Sequence, residues 1–177
     1  MTLPNTDRTC GIEDPGHPIS DLGYGPRECA ILTIARGYFS SFASPERQGW
    51  TFAIYHAVNA FGEARGPDVA VAVLSVVQCM RQARTSVFRF NSHECRRCAA
   101  HVSGHEQMLM AAMRAAARGR MDAASGHATL LCEGSDVQKL LRALQLLAEK
   151  ALPPGRSADG DQRDRIELRN PAPGVGL

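Results

Sequence analysis

Lysine is almost missing from this chain. Lys139 and Lys150 are the only two, and the other eighteen of its twenty basic residues are arginine. A preponderance of one charge is missing too: twenty basic against eighteen acidic residues leave a net charge of +2. No strong field surrounds the whole molecule, so charge alone points to neither nucleic acid nor an acidic membrane. Long apolar runs are absent as well. The longest, Val69 to Val77, is broken by Ser75 and falls far short of the roughly 20 residues a bilayer requires, which leaves a buried helix as its reading and no membrane partner. The opening residues carry no basic start followed by an apolar stretch, so an export signal is not expected and a cytoplasmic location is. In that compartment the six cysteines are expected to stay reduced, which sets aside a disulfide framework and leaves metal binding or burial to account for them.

Catalytic signatures are also wanting. No G-x-G-x-x-G, G-x-x-x-x-G-K-[S/T], G-x-S-x-G or H-E-x-x-H pattern occurs, so neither nucleotide binding, acyl transfer nor zinc proteolysis is indicated. Alternation of apolar and polar residues at period two is nearly absent, which argues against a sheet.

What the chain does contain is 44% hydrophobic residues, enough for one core at this length. Residues 1–25 are rich in proline and glycine without apolar period, and are expected to form a flexible arm. The stretch 153–177 has the same character and is expected to be a disordered tail. The intervening 26–152 read as a helical domain. Ile31, Ile34, Ala35, Tyr38, Phe39 and Phe42 recur at helical spacing. Ser44 and Pro45 resemble a helix start, followed by Trp50, Ala53, Ile54, Ala57, Val58 and Phe61 on one stripe. Pro67 to about Arg84 is apolar on most faces and is expected to be the central helix. Ser103 with Glu106, and Ser135 with Gln138, have the spacing of capping boxes, opening a fourth and a sixth helix around a fifth at about Asp122 to Cys132. The expected fold is all-α, a bundle of about six helices with a cysteine-containing loop between the third and fourth.

That loop departs from the core pattern. Cys95 and Cys98 are separated by two residues, and His93, His101 and His105 lie close in sequence. Zinc takes four sulfur or imidazole ligands in a tetrahedron, and the expected hairpin of the fourth and fifth helices returns Cys132 toward Cys98. The expected ligands are Cys95, Cys98 and Cys132, with His101 or Cys79 as the fourth, in a structural site. Three or four of the same cysteines would also suit an iron–sulfur cluster; the nearby histidines favour zinc.

Between Arg81 and Arg120 the local balance is +6, the one marked asymmetry of charge. Arg89, Arg96, Arg97, Arg114 and Arg118 are candidates to contact phosphates or an acidic protein, with Phe88 or Phe90 able to stack on bases where exposed. The reading that follows is a small non-enzymatic regulator or adaptor whose basic flank meets an acidic protein or nucleic acid. The alternative is a metal-dependent or thiol-redox enzyme built on Cys95 and Cys98, with Glu94 or Glu106 as base.

Overall fold

A computed structural model describes residues 14–152; the tail expected at 153–177 and the first half of the expected arm lie outside them. The fold is all-α. Six helices of eleven to eighteen residues, and a seventh of one turn, run as α1 (Pro26–Ala43), α2 (Gly49–Phe61), α3 (Gly66–Ala83), α4 (Arg96–Ala99), α5 (Gly104–Ala117), α6 (Met121–Leu131) and α7 (Gln138–Ala151). Two short strands, β1 (His17–Pro18) and β2 (His101–Val102), pair antiparallel. No described helix is long and apolar enough to cross a membrane.

The helices pack as two groups joined through α3 and α7. In the first half of the chain α1 packs on α2 and α2 on α3; in the second α5 packs on both α6 and α7, and α3 meets α7 to join the halves. α1 is more deeply buried than one stripe implies, because Leu32 and Arg36 are enclosed along with Ile31, Ile34, Ala35, Tyr38 and Phe39. Its start is fixed by Pro26 at the first helical position and by the Glu28 carboxylate, which accepts from the Gly25 N–H at 2.8 Å. α1 and α2 approach through glycine. A Cβ built on Gly37 would stand 2.8 Å from the Gly49 carbonyl oxygen, and one on Gly49 would stand 2.4 Å from that of Gly37.

That contact moves the start of α2. Pro45–Arg47 form a separate 3-10 turn, Gln48 takes a left-handed conformation at φ 49°, and the helix begins at Gly49, not at Ser44 and Pro45. Proline at 45 suits a first turn, but continuing it as one helix would not bring Gly49 against Gly37. The stripe on α2 is correspondingly narrower: Ala53, Ala57 and Phe61 are buried, whereas Trp50, Ile54 and Tyr55 are exposed. On α3 Val69, Val73, Val76, Val77 and Met80 enter the core while Val71 faces out.

The Ser103–Glu106 capping box forms in full, with Glu106 N–H donating to Ser103 Oγ and Ser103 N–H to Glu106 Oε2. The Ser135–Gln138 box does not. There the Gln138 N–H donates to Asp136 Oδ1, and the helix starts one residue later than Val137. Within the stretch read as an arm, residues 14–25 contribute β1 and a 3-10 turn at Ile19–Leu22, whose first N–H donates to the Ala100 carbonyl at 2.9 Å. Arg114 holds that segment's end through the carbonyls of Leu22 and Gly23 and an ion pair with Glu28 at 3.0 Å.

Candidate functional site

The loop between α3 and α5 is mounted on a buried ion pair. Arg36 and Glu106, 1% and 0% exposed, meet fork to fork, Nε to Oε1 at 2.7 Å and Nη2 to Oε2 at 3.1 Å. Two charges removed from water are tolerable only if their remaining donors and acceptors are also satisfied, and here they are. Arg36 donates further to the carbonyls of Ala99 and His101, and Glu106 accepts from the backbone N–H groups of Asn91 and Ser103. The buried Asn91 amide completes the set by donating to the carbonyls of Pro15 and His101. One arginine of α1 thus ties together the end of α4, β2 and the start of α5, and Asn91 joins the N-terminal segment to them. Sequence reasoning offered Glu106 as a cap or a general base, not as a buried ion-pair partner, and passed over Arg36. The available signal was an arginine flanked by Ala35, Tyr38 and Phe39 inside an apolar stripe.

Above this anchor α4 carries the cysteine pair. Cys95 is the residue before the helix and is half-buried; its sulfur accepts from the Cys98 N–H at 3.4 Å. Cys98 is wholly buried. His101 places Nδ1 2.9 Å from the Arg97 carbonyl oxygen, so that ring nitrogen is turned to the backbone. Cys132 is part of the hydrophobic core, where burial pushes its thiol up from the ordinary range, and Cys79 packs against the same core from α3. Among the described residues no three histidine, cysteine or acidic side chains are grouped to hold a metal ion. The expected set of Cys95, Cys98, Cys132, His101 and Cys79 therefore finds no support in their placement, and neither zinc nor an iron–sulfur cluster is indicated by it.

His93 and His105 lie against aromatic rings. His93 stacks on Phe52 with ring centroids 4.0 Å apart, and burial holds it below its ordinary range. Its Nδ1 has no hydrogen-bond partner among the described residues. His105 accepts from the Arg89 N–H at Nδ1, 2.9 Å, and faces Arg84 at 3.2 Å; burial, then the charges of Arg84 and Arg89, lower its pKa.

The candidate arginines divide into two groups. Arg114 is occupied with the N-terminal segment, whereas Arg89, Arg96, Arg97 and Arg118 are exposed. Arg84 is also occupied, pairing with Glu133 at 3.3 Å and donating to the Leu131 carbonyl. Glu133, held at φ 59°, accepts from the N–H and hydroxyl groups of Thr85 and Ser86, which lower its carboxyl to about 2. This pins the loop's beginning to the α6–α7 turn.

Beside that pin lies a cleft of about 270 Å³, floored by Phe39, Phe42, Met80, Phe88 and Phe90 and rimmed by Arg81 and Val87. Phe88 stacks on Phe39 at 4.4 Å and Phe90 leans on it at 5.4 Å. The Arg81 guanidinium lies 3.8 Å over the Phe42 ring while the residue stays exposed. Val87 is 83% exposed. No acidic side chain lines this cleft. Comparison with protein-family models, curated proteins and solved structures finds no significant match to this chain.

Proposed function

We propose that the protein is a small adaptor or regulator that holds an acidic protein segment by an apolar anchor residue. The observation that carries this reading is the aromatic cleft with a cation at its rim and no carboxylate in its lining. At about 270 Å³ it is at the lower limit for a drug-sized ligand, and better suited to one phenylalanine or leucine side chain. Arg81, and Arg89 between the two loop phenylalanines, offer donors to acidic neighbours of such an anchor. A protein segment is favoured over nucleic acid by the packing of Phe88 and Phe90. Phe88 stacks on Phe39 and Phe90 leans on it, so neither ring stands out as a separate platform for successive bases.

The test is fluorescence anisotropy with labelled peptides in which phenylalanine or leucine is flanked by aspartate and glutamate, beside lysine-flanked peptides and a single-stranded oligonucleotide. Expected are saturable binding of the acidic peptides, a weakening of roughly tenfold in Arg81→Glu, equivalent to about 1.4 kcal/mol, and loss at high salt. Equal binding of the lysine-flanked peptides, or tighter binding of the oligonucleotide, would overturn the proposal. Arg81 is exposed, so an unchanged melting curve separates lost binding from lost fold.

A further inference from the structure

The cysteine pair lies apart from the cleft lining and carries an independent reading. We infer that Cys95 and Cys98 form a thiol–disulfide couple, Cys95 as the attacking thiol and Cys98 as the resolving one. Three observations support it. The two residues bracket a single helical turn, with the Cys95 sulfur already lying against the backbone of Cys98 at 3.4 Å from its nitrogen. Residues three apart on a turn have Cβ atoms about 5 to 6 Å apart, and a disulfide wants about 3.5 to 4.5 Å, so closing the bond takes roughly 1 to 2 Å of movement.

Their exposure divides the roles: Cys95 is half-buried at the start of the turn, within reach of an incoming molecule, whereas Cys98 is fully buried behind it. The mounting is the third observation. Arg36 grips the carbonyls of Ala99 and His101, and the Ile19 N–H binds that of Ala100. The far end of the turn is held, and the movement falls to the Cys95 end, where the backbone is extended at φ −91° and ψ 114°. Arg96 and Arg97, both exposed, supply positive charge beside the pair that draws anionic thiol compounds.

The step balances with a low-molecular-weight disulfide as oxidant. Cys95 thiolate attacks one sulfur of that disulfide, forming a mixed disulfide and expelling one thiolate. The Cys98 thiol, losing its proton to solvent, then attacks the Cys95 sulfur, forms the intramolecular bond and expels the second thiolate. Two protein thiols are oxidised and one disulfide is reduced to two thiols.

The experiment equilibrates the full chain, without oxygen and with a chelator present, in buffers of reduced and oxidised glutathione of stepped ratio. The samples are quenched with acid, alkylated with a maleimide and read by intact mass and peptide mapping. The expected result is loss of two alkylatable thiols in one two-electron transition, mapped to Cys95 and Cys98. Cys98→Ser should instead accumulate the glutathione adduct at Cys95, at least about tenfold above the intact chain, and Cys95→Ser should leave Cys98 unmodified. The inference is overturned if both cysteines are alkylated at the most oxidising ratio. It is equally overturned if the intact chain stops at the adduct, or if the bond maps to another pair. Because the two serine variants are required to differ, a general loss of fold cannot imitate the result.

Discussion

Arg36 stands where an apolar residue would be expected, and what it does there is measurable. Replacing it with methionine keeps most of the volume but leaves Glu106 buried without its cation, at a cost of about 3 to 5 kcal/mol. Replacing both residues, Arg36→Met with Glu106→Leu, removes the orphaned charge, so equilibrium urea unfolding should find most of that loss recovered. Equal destabilisation in the single and double variants would show that the carbonyls of Ala99 and His101, and not Glu106, are what the arginine chiefly serves.

Glu133 gives a second expectation at this scale. Its folded carboxyl lies at about 2, against an ordinary 4.5, chiefly through the hydroxyls of Ser86 and Thr85. A depressed carboxyl stabilises the fold fully above its unfolded value and loses that contribution as pH falls toward its folded one. The difference in stability between the parent and Glu133→Gln should therefore be constant above about pH 5 and shrink between about 4.5 and 2. A pH-independent difference would dissociate Glu133 from the acid response.

Among the elements, glycine decides helix separation, and equal substitutions should have opposite effects in two places. Gly37→Ala drives a methyl group to within 2.8 Å of a backbone oxygen of α2 and should cost about 1 to 3 kcal/mol. Gly126 is exposed on α6 with open space around it, and Gly126→Ala should stabilise by about 0.5 to 1 kcal/mol, since alanine gives up less conformational freedom in a helix. Thermal melts of the two variants check both signs.

The elements also show what could be read beforehand. Helical spacing made α1 legible, because burial of a helix face imposes a 3.6-residue period on the sequence, and α3 was legible as a helix apolar on most faces. The start of α2 was not, since its register follows from Gly49 meeting Gly37, a contact between separate helices. The second capping box failed for a similar reason: Asp136 competes locally with Ser135 for the same N–H group. For the candidate site, spacing identified Cys95 and Cys98, and α4 does set them on one turn. The expected return of Cys132 toward Cys98 rested on helix lengths alone, whereas its burial in the core is a property of the whole packing. Arg114 and Arg84 were legible as charges but not as struts, because their carbonyl partners carry no mark in the sequence.

At the level of the whole molecule, the parts with chemistry are concentrated around one loop that the helices hold from several directions. Arg84 and Glu133 tie its first residues to the α6–α7 turn, Asn91 reaches the Pro15 carbonyl, and Arg36 secures its end. Neutralising Arg96 and Arg97, exposed and outside those ties, should leave urea unfolding within about 0.5 kcal/mol of the parent. A larger change would mean that they take part in holding the loop.

The Arg36 anchor also bears on how the loop opens. A loop of this length would ordinarily detach by itself at little cost, exchanging its amide hydrogens through small local excursions. This one cannot lift its final residues without stripping partners from a charge in the interior, seventy positions away in the chain from the Glu106 it binds. The amide protons of Asn91 and Ser103, which Glu106 accepts, should consequently exchange at rates approaching those of the helix cores, so that the loop's end and the bundle open as one cooperative unit.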